Sequence, residues 1–268
     1  MSPGRRSPGP GRPSALASLA VAVALAACGG PAAQPAGGRS PQVSGGLTVL
    51  AAASLTEAFT KAGAQLQARN PGLDVRFSFA GSPTLVTQVQ QGAPADVLAA
   101  ADQANMQKVV TGGFSAGAPA VFAHNRLQIA VAAGNPKKIA SVSDLASPAV
   151  KVDVCAPGVP CGGYSTTVLG KAGVRVTPVS QEQDVRSVLT KVSLGEADAG
   201  IVYVTDVRSA AGRVQGVEIP DSLNTIADYP VVPLKSSRNP AAARVFVDYV
   251  LSPEGQKVLA SYGFITAG

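Results

Sequence analysis

The chain has 268 residues, with 22 Lys and Arg against 16 Asp and Glu, a formal net charge of +6, and no Trp. Its cationic residues are scattered, and no basic run lies beside aromatics, which excludes an ordinary nucleic-acid-binding surface. One histidine and no Ser-x-x-Lys pair leave little material for a serine hydrolase.

In chain order, the first 28 residues read as a targeting segment. Arg5, Arg6 and Arg12 precede an apolar stretch over residues 15–27. This stretch is shorter than the roughly 20 residues a membrane-spanning helix needs. It closes in Leu25-Ala26-Ala27-Cys28-Gly29, which resembles the lipobox of bacterial lipoproteins. That resemblance implies that the Cys28 thiol takes a diacylglycerol and that the protein is anchored on the outer face of the cell membrane. Stable anchoring needs two or more acyl chains, which further acylation would supply. Removing residues 1–28 removes three positive charges and no negative ones, leaving +3. Residues 29–45, rich in Gly, Pro, Ala, Gln and Ser without periodicity, are expected to form a flexible tether.

Beyond the tether, β-type and helical patterns alternate, which predicts an α/β fold with mainly parallel sheets. Strands are expected at 47–50, 74–79, 96–99, 127–132, 151–155, 174–177, 200–204, 216–219 and 231–234. Helices are expected at 55–69, 83–91, 103–110, 164–171, 184–194, 205–209, 241–251 and 253–262. Strict apolar/polar alternation over residues 73–79 marks an edge or half-exposed strand. His124-Asn125-Arg126 precedes one apolar run and Asp228-Tyr229-Pro230 another, so both runs read as crossover strands. The resulting arrangement is expected to be two-lobed. Lobe I comprises residues 46–126 plus 230–268 and lobe II residues 127–229, with the hinge near Arg126 and Pro230 and a ligand cleft at the helix N-termini.

Two helix starts carry hydroxyls. Ser54 and Glu57 have capping-box spacing, and Ser82-Pro83 suits an N-cap followed by a first helical residue. Two such starts in a βαβ pattern suggest one small anion held between them. Cys155 and Cys161, the only cysteines besides Cys28, are expected to form a disulfide in an oxidising compartment, with Pro157, Gly158 and Pro160 bending the chain between them.

Ala51-Ala52-Ala53-Ser54-Leu55-Thr56, Phe79-Ala80-Gly81-Ser82-Pro83-Thr84-Leu85, Gly92-Ala93-Pro94-Ala95-Asp96-Val97 and Ala101-Asp102 form one set of blocks. Val159-Pro160-Cys161-Gly162-Gly163-Tyr164, Gln183-Asp184-Val185-Arg186, Gly200-Ile201-Val202-Tyr203 and Tyr262-Gly263-Phe264 form another. Together, over residues 47–266, they resemble the signature of periplasmic molybdate-binding proteins. These are the substrate-binding subunits of ABC importers, built as type II periplasmic-binding-protein clamshells. The resemblance implies a monomeric binding protein without enzymatic activity or cofactor, which captures molybdate (or nearly isosteric tungstate) and delivers it to a membrane permease. The ligand would be held by the hydroxyls of Ser54, Ser82 and Tyr203 and by backbone N–H groups at Ala53, Ser82, Cys161 and Val185. Where the family commonly has alanine, this chain has Cys161, a change that a main-chain donor tolerates. Glu57, Asp96 and Asp184 are expected to act as caps. Tyr164, Tyr229, Tyr249 and Tyr262 are expected to pack, and His124 to be a surface or hinge residue. The alternatives are another tetrahedral oxyanion such as sulfate or phosphate, and a secreted serine hydrolase.

Overall fold

The computed structural model describes residues 42–267. The leader, Cys28 and nearly all of the tether lie outside the described residues.

The first sheet starts with β1 (Gly45–Ala52), whose apolar residues from Leu47 onward are buried. Helix α1 (Thr56–Arg69) returns the chain to β2 (Leu73–Ala80), which pairs parallel with β1 along its full length. Helix α2 (Ser82–Gln90) then leads to β3 (Val97–Ala99), parallel to β1 on its other side, and α3 (Gln103–Thr111) follows. β2 ends the strand order, which accounts for its alternating pattern.

Strand β4 (Ala120–Ala132) joins the two halves of the fold. The second sheet is built from β5 (Val152–Cys155), α4 (Pro160–Lys171), β6 (Ser180–Glu182), α5 (Val185–Ser193), β7 (Ala199–Tyr203), α6 (Val204–Ser209) and β8 (Val214–Glu218). The chain then returns through β9 (Ile226–Pro233) to α7 (Pro240–Leu251), α8 (Pro253–Ser261) and the short β10 (Ile265–Thr266). From Ala120 to Arg126, β4 pairs antiparallel with β9; from Leu127 it pairs antiparallel with β7, and from Gln128 with β8. Parallel pairing is confined to the βαβ portions, β2-β1-β3 and β6-β5-β7. The crossing strands run against them because each enters its sheet from the opposite end.

Two sequence expectations shift. The return to the first sheet begins at Ile226, paired with Arg126, so Asp228, Tyr229 and Pro230 lie inside that sheet rather than at a boundary. Pro230 is tolerated there because it faces the irregularity between Val121 and Ala123, where the ladder is already interrupted. Residues 174–177 alternate like a strand but are not one. Pairing with β5 starts only after Pro178, when the Val179 N–H reaches the Val152 carbonyl at 2.9 Å. Among the described residues no helix is long and apolar enough to cross a membrane.

Phe59 of α1 is fully buried at the centre of the first half's aromatic core. Its ring centroid lies 5.4 Å from that of Phe246, 5.5 Å from Phe122 and 6.0 Å from Phe77. It thereby ties α1 to β2, β4 and α7. Phe59→Ala should cost about 3–5 kcal/mol of stability, read as a lower urea midpoint with an unchanged slope.

Candidate functional site

On the first-sheet side, β1 runs into a single 3-10 turn, Ala53–Leu55, before α1 begins. Ser54 therefore sits one residue ahead of the N-cap and does not cap α1. Its Oγ instead lies 2.9 Å from the Tyr229 hydroxyl, 175 positions along the chain. Glu57 does not reach back in a capping box either; its carboxylate accepts from the Arg186 guanidinium at 2.5 Å. At α2 the N-cap is Gly81, Ser82 is the first helical residue and Pro83 the second. The Ser82 Oγ accepts the Ala101 N–H at 3.1 Å, so its own proton is left over for another acceptor.

On the second-sheet side, Pro160 opens α4 and Cys161 follows. Cys161 is bridged to Cys155 at the end of β5, with the Cα atoms 5.7 Å apart. The turn between them is so tight that a Cβ on Gly162 would sit 2.1 Å from the Ala156 carbonyl oxygen. Asp184 caps α5, accepting from the N–H groups of Arg186 (2.8 Å) and Ser187 (3.0 Å) and leaving that of Val185 outside the cap. Asp96 is likewise a structural acceptor, holding the Thr48, Arg238 and Asn239 N–H groups.

Tyr203 ends β7. It is 1% exposed, and its hydroxyl has no hydrogen-bond partner. Burial pushes its phenol well above the ordinary tyrosine range, so the group stays protonated and is a donor in search of an acceptor. Its N–H donates to Asp206, whose carboxyl is pushed up to about 7, chiefly by burial and against the pull of Arg186.

The structure brings Ala53, Ser54, Ser82, Cys161, Val185 and Tyr203 to the wall of one cavity of about 10 Å³. That volume is about the space of one water-sized sphere. The N-terminal turns of α2, α4 and α5 all border it. Each presents main-chain N–H groups and the positive end of a dipole. No Lys or Arg lines the cavity, and its one carboxylate, Asp184, is engaged in capping. The two halves close directly on each other. A Cβ on Gly81 would lie 2.0 Å from the Gln183 carbonyl oxygen, and Glu57 of α1 meets Arg186 of α5 across the cleft. Among the described residues no cluster of His, Cys, Asp and Glu could hold a metal.

Sequence reasoning missed three participants. Tyr229 packs as expected, edge-on to Tyr203 and Phe264 at 5.9 and 5.3 Å, but its hydroxyl also bonds the Ser54 side chain. Asn125 reaches both Thr205 and Tyr229, and Arg186 bridges the cleft. Their contacts span 80 to 175 positions, a distance over which no local pattern names the partner.

The profile of the bacterial extracellular solute-binding protein family matches residues 47–265. The molybdate-binding protein ModA of Mycobacterium tuberculosis is 45% identical over 256 residues, covering 95% of this chain and 97% of that protein. The periplasmic molybdate-binding protein of Azotobacter vinelandii superposes with a TM-score of 0.73 at 21% identity, over 83% of this chain and all of that one. The sulfate-binding protein SubI of M. tuberculosis superposes with a TM-score of 0.76 at 19% identity, over 83% and 87%. The chain belongs to the bacterial extracellular solute-binding protein family.

Proposed function

We propose that this protein is the substrate-binding component of an ABC importer, that it captures molybdate and tungstate outside the cell membrane, and that it hands them to a membrane permease. The observation that carries this reading is the Tyr203 hydroxyl, buried and unpartnered on the same cavity wall as Ser54 and Ser82. A tetrahedral dianion offers only acceptors, and it needs donors on every side. Three hydroxyls and the first N–H groups of three helices supply them without a buried counter-ion, whose own desolvation would be costly. Such a site also rejects protonated oxyanions, because a bound O–H finds no acceptor. The 45% identity to a molybdate-binding protein supports molybdate over sulfate. Tungstate follows from its near-identical size and charge.

Calorimetric titration with molybdate, tungstate, sulfate and phosphate tests this. Molybdate and tungstate should bind alike and sulfate much more weakly, because its shorter bonds leave donors out of reach. Equal affinity for sulfate and molybdate would overturn the assignment. A hydrogen bond to a charged acceptor contributes about 1.5–3 kcal/mol. Tyr203→Phe or Ser54→Ala should therefore weaken molybdate binding roughly tenfold to a hundredfold. Substitutions at Cys161 and Val185 should matter less, since their main-chain donors survive.

Closure is tested at Gly81. Because its added Cβ would collide with backbone across the cleft, Gly81→Ala should weaken molybdate binding by about tenfold or more with little change in melting temperature. Small-angle scattering should show the native protein compacting on saturation with molybdate, and the variant failing to do so.

The membrane anchor is the lipid on Cys28 that the Leu25-Ala26-Ala27-Cys28 sequence invites. Intact-mass measurement of membrane-extracted protein should show a diacylglyceryl-modified chain starting at Cys28, and Cys28→Ala should block processing or release the protein.

A further inference from the structure

We infer that Tyr229 and Asn125 are positioning residues that fix the direction of the Ser54 hydroxyl, so that its proton can point only into the cavity. This rests on the oxyanion reading above and deepens it.

Proton direction can be followed from the Asn125 amide, which is 1% exposed. Its Oδ1 accepts the Arg126 N–H at 2.9 Å, so the other end of the amide is Nδ2. That nitrogen lies 2.9 Å from the Thr205 Oγ1 and, in a longer contact, 3.5 Å from the Tyr229 hydroxyl. An amide nitrogen only donates, so the Tyr229 oxygen is an acceptor toward Asn125. Burial, the largest influence on the Tyr229 phenol, pushes it far above the ordinary tyrosine range, and it therefore keeps its proton. That proton goes to the remaining neighbour, the Ser54 Oγ at 2.9 Å. Ser54, having accepted from Tyr229, has its own hydrogen left for the cavity. Run in the opposite direction, the chain would turn a serine lone pair toward an anion. Ser82 is arranged in the same way by a different group, since the Ala101 N–H feeds its oxygen.

The relay also lies where the chain changes sheets. Asn125 is on β4 one residue before Arg126, Tyr229 is on β9, and Thr205 belongs to α6 on the other side of the crossing. The donor polarity of a first-sheet ligand group is thus set by residues at the crossover itself.

A double-mutant cycle on molybdate affinity tests the relay and separates it from packing. Tyr229→Phe should weaken binding about fivefold in the otherwise native chain, the worth of one ordered hydrogen bond, and should cause no further loss in a Ser54→Ala background. In a Tyr203→Phe background its effect should remain, because Tyr203 is not part of the relay. Equal losses with and without Ser54, or no loss in the native chain, would overturn the inference. If Tyr229→Phe does not fold, the near-isosteric Asn125→Asp serves in its place. A carboxylate there accepts from Tyr229 and reverses the chain, so its cost should be larger with Ser54 present than with Ser54→Ala. Equal costs would overturn the inference. If Ser54→Ala alone binds molybdate like the native protein, the oxyanion reading fails, and not merely the relay.

Discussion

A buried hydroxyl that finds no partner costs roughly 1–3 kcal/mol, and the fold places one at Tyr203 with its whole ring buried behind it. The rest of the site is organised around that cost. The phenol cannot turn to water, because β7 ends there and its ring is packed against Tyr229. It cannot ionise, because burial holds its proton in place. An acceptor placed in the cavity is the group that offsets the penalty, and a neutral donor set makes an anion the acceptor of choice. Under the proposed function, binding energy comes from that unsatisfied bond rather than from a buried cation.

The same economy explains why the closed arrangement is tight. Helix N-termini act over a single turn, so α2 from one half and α4 and α5 from the other must all meet within a few ångströms. Gly81 allows that approach, since any side chain there would strike the Gln183 carbonyl. The Cys155–Cys161 bridge holds the first turn of α4 to the end of β5, and Gly162 lets that turn fold over the Ala156 carbonyl. The Glu57–Arg186 pair then joins α1 to α5 beside the cavity. Positive charge is close to the site, yet it is spent on a carboxylate and on the Ser209 hydroxyl rather than turned into the cavity.

β4 does two jobs with one run of backbone. Its first half completes the sheet that carries Ser54 and Ser82, and its second half opens the sheet that carries Tyr203. Because β9 starts opposite Arg126, both connections between the halves pass through the same narrow region. Asn125 lies at this crossing, paired with Ala227 of β9.

Local chemistry was legible from the residues alone. The periodicity of 55–69, 184–194 and 241–251 marked helices because each apolar stripe must face a sheet. The hydroxyls at Ser54 and Ser82 stood out because two serines at helix starts lie beside unpaired N–H donors and the positive ends of helix dipoles. Tyr203 was marked by the resemblance to molybdate-binding proteins, through the Gly200-Ile201-Val202-Tyr203 block, and not by periodicity. The short spacing of Cys155 and Cys161 left their pairing open to proposal before any coordinates. What the residues could not reveal is which distant groups those side chains meet. Ser54 and Glu57 look like partners three positions apart, yet in the fold each turns away, to Tyr229 and to Arg186. Likewise Pro230 reads as a boundary until the irregularity opposite it is known. Caps, periodicity and turns depend on neighbours within about four residues, so a sequence displays them directly. Hydrogen-bond direction, cross-cleft ion pairs and the register of crossing strands depend on which surfaces the whole chain buries together, and only the tertiary structure decides those.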